Sequence, residues 1–303
     1  MKKLLALSLT LGFCGQIIGF PAFAFTPQQS EQQFIQQFSK KYHTKQSELQ
    51  ALFKKLQENK SLIVKMTAPF EKKPWSFYRH FFITDARIQG GALYLKKHHA
   101  MLLRMQKKYG VLPSIMTAII GIETAYGENT GTYPVLNTLY TLAFYYPPRS
   151  TFFKNELSQY LLLVRDNHFP ILSLKGSYAG ALGIPQFMPS SYRYYGVAMH
   201  GEKSVDLFHN NNDAIASVAN YFHHMGWKEN QPIARRLTSK NAPLEKTEKR
   251  ITLAGEKRDE YWAVAHNFDV IMRYNHNVVY AMAVYQLSRA IENAYANKNT
   301  HKS

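Results

Sequence analysis

Pro113-Ser-Ile-Met-Thr-Ala-Ile-Ile-Gly-Ile-Glu-Thr-Ala-Tyr-Gly127 is the stretch that decides how this chain is read. Ile115, Met116, Ile119, Ile120 and Ile122 describe a helix that is apolar nearly all round, the pattern of a helix buried in a core. Pro113 suits its first turn, where a missing N–H costs nothing, and Gly127 suits a C-terminal cap. Glu123 stands near the end of this helix. A carboxylate there is costly unless it is paired, neutral or used. A carboxyl group in an apolar pocket keeps its proton to higher pH, the property a general acid needs. Taken alone, Glu123 fits a buried partner of an arginine or a helix cap as well as it fits a catalytic acid.

The flanking segments are also helical. Upstream, Phe34, Ile35 and Phe38 form one stripe and Leu49, Leu52, Phe53 and Leu56 a second, both at helical spacing. Thr84 to Tyr109 reads as one helix with Leu93, Leu102, Leu103 and Met105 as core, closed by Gly110. Downstream, helices are expected over Asn137–Phe144, Phe152–Val164, Asp213–Met225 and Asn277–Ala294, with Asp213 as an N-cap. Lys175 to Pro189, rich in glycine, serine and proline, predicts a loop or broken helix. Residues 228–262 are polar and basic with short apolar pieces, consistent with a small β element or a loose insertion. Strong strand alternation and fixed-period repeats are absent.

The first 24 residues have the pattern of a secretory signal. Lys2 and Lys3 precede the uncharged run Leu4–Phe20, Pro21 breaks it, and Ala22-Phe23-Ala24 offers a cleavage site. The run is long enough to serve instead as an uncleaved membrane anchor. A lipid-attachment site at Cys14 is disfavoured by the bulky Phe13 before it. Cys14 is the only cysteine, so the processed chain has no disulfide or thiol chemistry. Loss of Lys2 and Lys3 takes the formal charge from +17 to +15. Such a surface favours polyanions; for an exported protein these are anionic glycan, anionic lipid or acidic peptide, and not nucleic acid. A generally solvated basic surface explains the charge equally well.

Four motifs occur in order: Gly121-Ile-Glu-Thr-Ala-Tyr-Gly127, Lys175-Gly-Ser-Tyr-Ala-Gly-Ala-Leu-Gly-Ile-Pro-Gln-Phe-Met-Pro-Ser-Ser191, Ser217-Val-Ala-Asn-Tyr-Phe222 and Asn267-Phe-Asp-Val-Ile-Met-Arg-Tyr-Asn275. Together they resemble the lytic murein transglycosylase B family, from about Trp75 to Leu287. The resemblance implies a mainly α fold: a lysozyme-like catalytic core with a helical N-terminal part and a small, reduced β insertion. The corresponding divisions are a signal peptide (1–24), a helical lead-in (25–74) and a lysozyme-like transglycosylase domain (75–303) with its insertion at about 228–262. It also implies cleavage of the β-1,4 bond between N-acetylmuramic acid and N-acetylglucosamine, with the muramyl C6 hydroxyl attacking C1 to leave a 1,6-anhydro end.

A glycosidase normally needs two carboxylates. No second acid stands beside Glu123 in a matching motif; Asp166, Asp206 and Asp213 are candidates in principle only. Glu123 is therefore expected to act as acid and then base. By the same resemblance, Ser177 and Gln186 hold the substrate N-acetyl group or orient Glu123, although alone they read as a turn hydroxyl and a backbone-bonding amide. Tyr78, Tyr221, Tyr274 and Tyr280 match groove-lining tyrosines, Asn275 follows Tyr274 in the same motif, and Arg149 matches an arginine that meets substrate carboxylates. The family often has two arginines there; this chain has Pro148-Arg149.

No cofactor or metal is expected. Ala198–Asp206 lacks the alternating acidic ligands of a calcium loop. The pairs His98-His99 and His223-His224 do not share a helix face, and no nucleophile elbow occurs. The expected partners are peptidoglycan glycan strands and cell-wall synthesis proteins, for a monomer in the periplasm. Two other readings stay open: a hydrolytic muramidase on the same fold, and a non-catalytic peptidoglycan-binding protein.

Overall fold

The computed structural model describes residues 26–67, 73–199 and 204–300. The expected export segment, with Cys14 and the cleavage site, lies outside them, as does part of the Ala198–Asp206 segment. Among the described residues, no helix is long and apolar enough to cross a membrane.

Helices dominate, in two packed groups. The first three are α1 (Pro27–Tyr42), α2 (Gln46–Phe53) and α3 (Lys60–Thr67). Thr26 and Gln29 form a reciprocal capping box that starts α1. Phe34, Ile35, Phe38, Leu49 and Phe53 are buried as their spacing predicts. They share a core with α8 (Val135–Tyr145), α9 (Ser150–Asn167) and Tyr192 of α10 (Pro189–Tyr195). The lead-in thus packs into the same core as residues from the 75–303 part.

The second core holds α4 (Trp75–Phe82), α5 (Asp85–Lys97), α6 (His99–Tyr109), α7 (Pro113–Thr124), α11 (Asn211–His224), α12 (His266–Met272) and α13 (Val278–Thr300). The single helix expected over 84–109 is two, parted at His98. Leu102 and Met105 are buried, but Leu93 and Leu103 are 59% and 44% exposed. The inward stripe runs through Ala92, Leu95, Leu102 and Met105, which leaves both leucines on the outer face.

The insertion forms a three-stranded antiparallel sheet in the order β3 (Ala234–Arg236), β5 (Glu260–Val264), β4 (Lys249–Leu253). Leu253, Trp262 and Val264 face the second core, and Lys249 pairs with Val264 across β4 and β5. The expected small β element is therefore present, running two residues beyond 262. A second, two-stranded pairing joins β1 (Tyr133–Pro134) to β2 (Lys175–Gly176). Single bridges, Gly176 to Leu182 and Leu182 to Phe187, curl the glycine-rich segment back on itself.

Asp213 corrects a sequence expectation. It does not cap α11; Asn210 does, accepting from the N–H groups of Asn212 and Asp213. Asp213 is fully buried and accepts from the backbone N–H of Met199 at 2.9 Å and of Asp206 at 3.0 Å. Its carboxylate ties Met199 and Asp206 to the start of α11.

Candidate active site

Ten of the twelve residues of α7 are buried; Glu123 is half-buried at its last turn. The helix ends two residues before the expected glycine. Ala125, Tyr126 and Gly127 all have positive φ, at 49°, 66° and 96°. Tyr126 is held there by its own side chain: its hydroxyl donates to the Arg87 carbonyl at 2.5 Å, and its ring lies against Gly121, where an added Cβ would come within 2.7 Å of it. Gly121 of the motif is thus a space for Tyr126, and that contact turns the chain sharply after Glu123.

The carboxylate is oriented from α13. The Tyr280 hydroxyl donates to Glu123 Oε1 at 2.5 Å. Tyr280 is 3% exposed, and burial, followed by the nearby Glu123 charge, raises its pKa well above the ordinary phenol value. It therefore stays protonated and remains the donor. Asn277 sets its position, with Oδ1 accepting from the N–H of Val279 at 2.8 Å and of Tyr280 at 3.4 Å at the start of α13. We expect Tyr280→Phe to lower kcat by about 10-fold or more while leaving the fold intact, since one charge-assisted hydrogen bond is removed. An unchanged kcat in steady-state assays, with an unchanged circular dichroism spectrum, would show that Tyr280 does not orient the acid.

The glycine-rich segment closes over this turn. Thr124 Oγ1 donates to the Ile184 carbonyl at 2.8 Å and accepts from Gly127 N–H at 3.0 Å, tying the end of α7 to residues 183–187. Gln186 sits at φ 50°, and its Nε2 donates to the carbonyls of Thr130 at 3.0 Å and Gly183 at 2.9 Å. The Ser177 hydroxyl accepts from Ala181 N–H at 3.0 Å and Ala179 N–H at 3.3 Å. Both side chains are half-buried and organise the loop that borders Glu123.

The tyrosines predicted to line a groove are placed differently. Tyr78 is 1% exposed and packs on Phe82 at 5.3 Å between ring centres, so its ring is a core element. Tyr221, also buried, donates its hydroxyl to the Arg273 carbonyl at 2.6 Å. Tyr274, half-buried, donates to the Pro185 carbonyl at 2.6 Å, next to Gln186. Burial first, then the Glu123 charge, raises the Tyr274 pKa well above the phenol range. With Phe187, these two rings form a cluster 5.0–5.9 Å apart under the 182–188 loop. Three of the four tyrosine hydroxyls thus bond to backbone or to Glu123. Asn275 is half-buried beside Tyr274. Arg149 is exposed on a 3-10 turn, its guanidinium 4.2 Å from the Phe152 ring centre.

The other carboxylates are engaged elsewhere. Asp166 pairs with Arg165 at 2.9 Å and Arg193 at 3.0 Å, and these arginines lower its pKa despite partial desolvation. Asp206 accepts from the N–H groups of Phe208 and His209, and Asp213 is bound to backbone as described. Among the described residues, no group of three or more acidic, histidine or cysteine side chains is arranged to hold a metal.

Sequence reasoning missed Thr124, Asn277 and Glu156. Glu156 is 2% exposed on α9 and accepts from Ser190 N–H at 2.9 Å and Oγ at 2.8 Å, so it seats the Pro-Ser-Ser motif at the start of α10. Only the fixed Glu-Thr adjacency in the first motif gave a signal for any of them.

This geometry has close counterparts. A family model described as a transglycosylase SLT domain matches residues 26–250 and 236–289. The membrane-bound lytic murein transglycosylase B of Escherichia coli (strain K12) is 34% identical over 305 residues, covering 89% of this chain and 84% of that protein. The structure of the E. coli lytic transglycosylase Slt35 in complex with bulgecin A superposes with a TM-score of 0.82 at 35% identity, covering 91% of this chain and 96% of that one. The catenated lytic transglycosylase SltB1 from Pseudomonas aeruginosa does so with a TM-score of 0.81 at 37% identity, covering 87% and 97%.

Proposed function

This chain belongs to the transglycosylase SLT family of lytic murein transglycosylases, and from that premise we propose that Glu123 alone supplies the proton transfers of its reaction. The protein is an enzyme, a lyase that cleaves peptidoglycan. The observation that carries the assignment to Glu123 is its carboxylate at the last turn of α7, held by the buried Tyr280 and bordered by the 177–187 loop.

In the proposed reaction the protonated Glu123 gives its proton to the oxygen between N-acetylmuramic acid and N-acetylglucosamine. The C1–O bond breaks, and the N-acetylglucosamine side leaves as an alcohol. The cationic C1 is stabilised by the substrate's own N-acetyl group, as in substrate-assisted glycosidases. The muramyl C6 hydroxyl then attacks C1, and Glu123 takes back its proton. No water is consumed. Such proton transfer contributes roughly 10²–10⁴ in rate. Ser177, Gln186 and Asn275 border the sugar beside the acid, Tyr221 and Tyr274 hold that border in place, and Arg149 meets stem-peptide carboxylates at the rim. Buried Tyr78 acts by packing.

We further place the enzyme in the periplasm, exported by residues 1–24, as a monomer on glycan strands with cell-wall synthesis proteins as candidate partners. Mass analysis of a sacculus digest tests the chemistry. The expected products end in 1,6-anhydromuramic acid; products heavier by one water, with a reducing end, would overturn the lyase reading in favour of hydrolysis.

A further inference from the structure

The outer face of α5 and α6 has no part in the site around Glu123. Lys96, Lys97, Arg104, Lys107 and Lys108 are all exposed there, and between them lie the exposed Leu93 and Leu103. Within α5, Lys96 and Lys97 follow Leu93 at i+3 and i+4; within α6, Lys107 follows Leu103 at i+4, and Lys107 and Lys108 follow Arg104 at i+3 and i+4, which groups them on the outer face of each helix. The two helices join at His98, whose N–H bonds to the Tyr94 carbonyl and whose carbonyl accepts from Leu102 N–H, each at 2.9 Å.

Three observations set this face apart from an ordinary basic surface. No acidic residue occurs between Asp85 and Glu123. None of the ion pairs among the described residues involves its five cations. Acids of other elements bordering this face include Asp206, which lines a cavity with Lys97 but is paired with His209 at 3.4 Å, and Glu229, which packs against Gly110. Leucines exposed singly are ordinary. Two leucines on one face with five cations make an amphipathic interfacial surface.

We propose that this face docks the enzyme on an anionic lipid bilayer, lying on it and not crossing it. Phosphodiester headgroups attract each cation by roughly a fivefold gain in partition. Lysine stems reach outward to the headgroups while their methylenes and the leucines settle at the acyl boundary. Leucine offers no flat face for a pyranose ring, so an anionic glycan is the poorer occupant.

The test uses the chain from Phe25, which contains both cores and lacks the apolar Leu4–Phe20 run, floated with phosphatidylglycerol–phosphatidylcholine vesicles or phosphatidylcholine alone. Binding to the anionic vesicles is expected to exceed that to the neutral ones by at least about 10-fold and to fall with salt. The combined Lys96→Glu, Lys97→Glu, Lys107→Glu and Lys108→Glu variant is expected to lose more than about 100-fold. Leu93→Ser with Leu103→Ser, at unchanged charge, is expected to lose about fivefold or more. Cleavage of soluble peptidoglycan fragments, unchanged in both variants, reports that they fold. Equal binding to both vesicles, or full binding by the charge-reversed variant, would overturn the proposal. Full binding by the leucine variant, with soluble polyphosphate competing as well as vesicles do, would replace it with a soluble polyanion partner.

Discussion

Glu123→Gln is expected to lower kcat by about 10²–10⁴ or more while peptidoglycan binding is retained. Glutamine keeps the shape of the side chain and still accepts from Tyr280, so α7, its sharp turn and the loop over it stay in place. What is lost is a group that can both give and receive the proton. A kcat effect with little change in apparent affinity marks an interaction made in the transition state. Sedimentation with insoluble sacculi measures binding, and release of soluble muropeptides measures cleavage. Cleavage at the wild-type rate would refute the assignment of Glu123. Loss of both binding and folding would leave the acid role to be read from Tyr280→Phe, which removes the hydrogen bond to Glu123 and leaves the carboxyl itself in place.

The second large effect concerns stability. Asp213→Ala is expected to destabilise the protein by about 3 kcal/mol, because two half-buried backbone N–H groups, of Met199 and Asp206, lose a charged acceptor together. For a chain of this size that corresponds to a fall in Tm of roughly 5 °C. Asp213→Asn keeps one acceptor oxygen and is expected to lose about half as much. Thermal unfolding followed by circular dichroism checks both; an alanine variant as stable as wild type would show that these two N–H groups find other partners. The effect reaches the site, because Ile184 N–H bonds to the Leu207 carbonyl at 2.8 Å and Thr124 bonds to the Ile184 carbonyl. Loosening at Asp206 and Leu207 is therefore expected to lower activity before the enzyme unfolds.

Fold class was legible because its signals are local. The run of isoleucines around Glu123 announces a helix buried on every side, and Pro113 marks its start. Ser177, Gln186 and Tyr274 lie within the four motifs; Tyr280 lies five residues beyond the last of them, and its hydroxyl bonds to Glu123. The export pattern, too, is a property of consecutive residues.

What the sequence could not show depends on which face of an element meets which neighbour. Leu93 and Leu103 have the hydrophobicity of core residues, yet α7 and α13 pack on the inner side of α5, and α7 and α11 on that of α6, so they end on the surface. Tyr78 has the chemistry of a sugar platform, yet its ring is enclosed beside Phe82. Asp213 occupies a position that suits a helix cap, yet the backbone N–H groups of Met199 and Asp206 turn it into a buried anchor. Composition and spacing determined a helical chain carrying a lone carboxyl on an apolar helix, behind an N-terminal run with the pattern of an export signal. Only the tertiary packing, through contacts between residues as far apart as Glu123 and Tyr280, decided how that carboxyl is held.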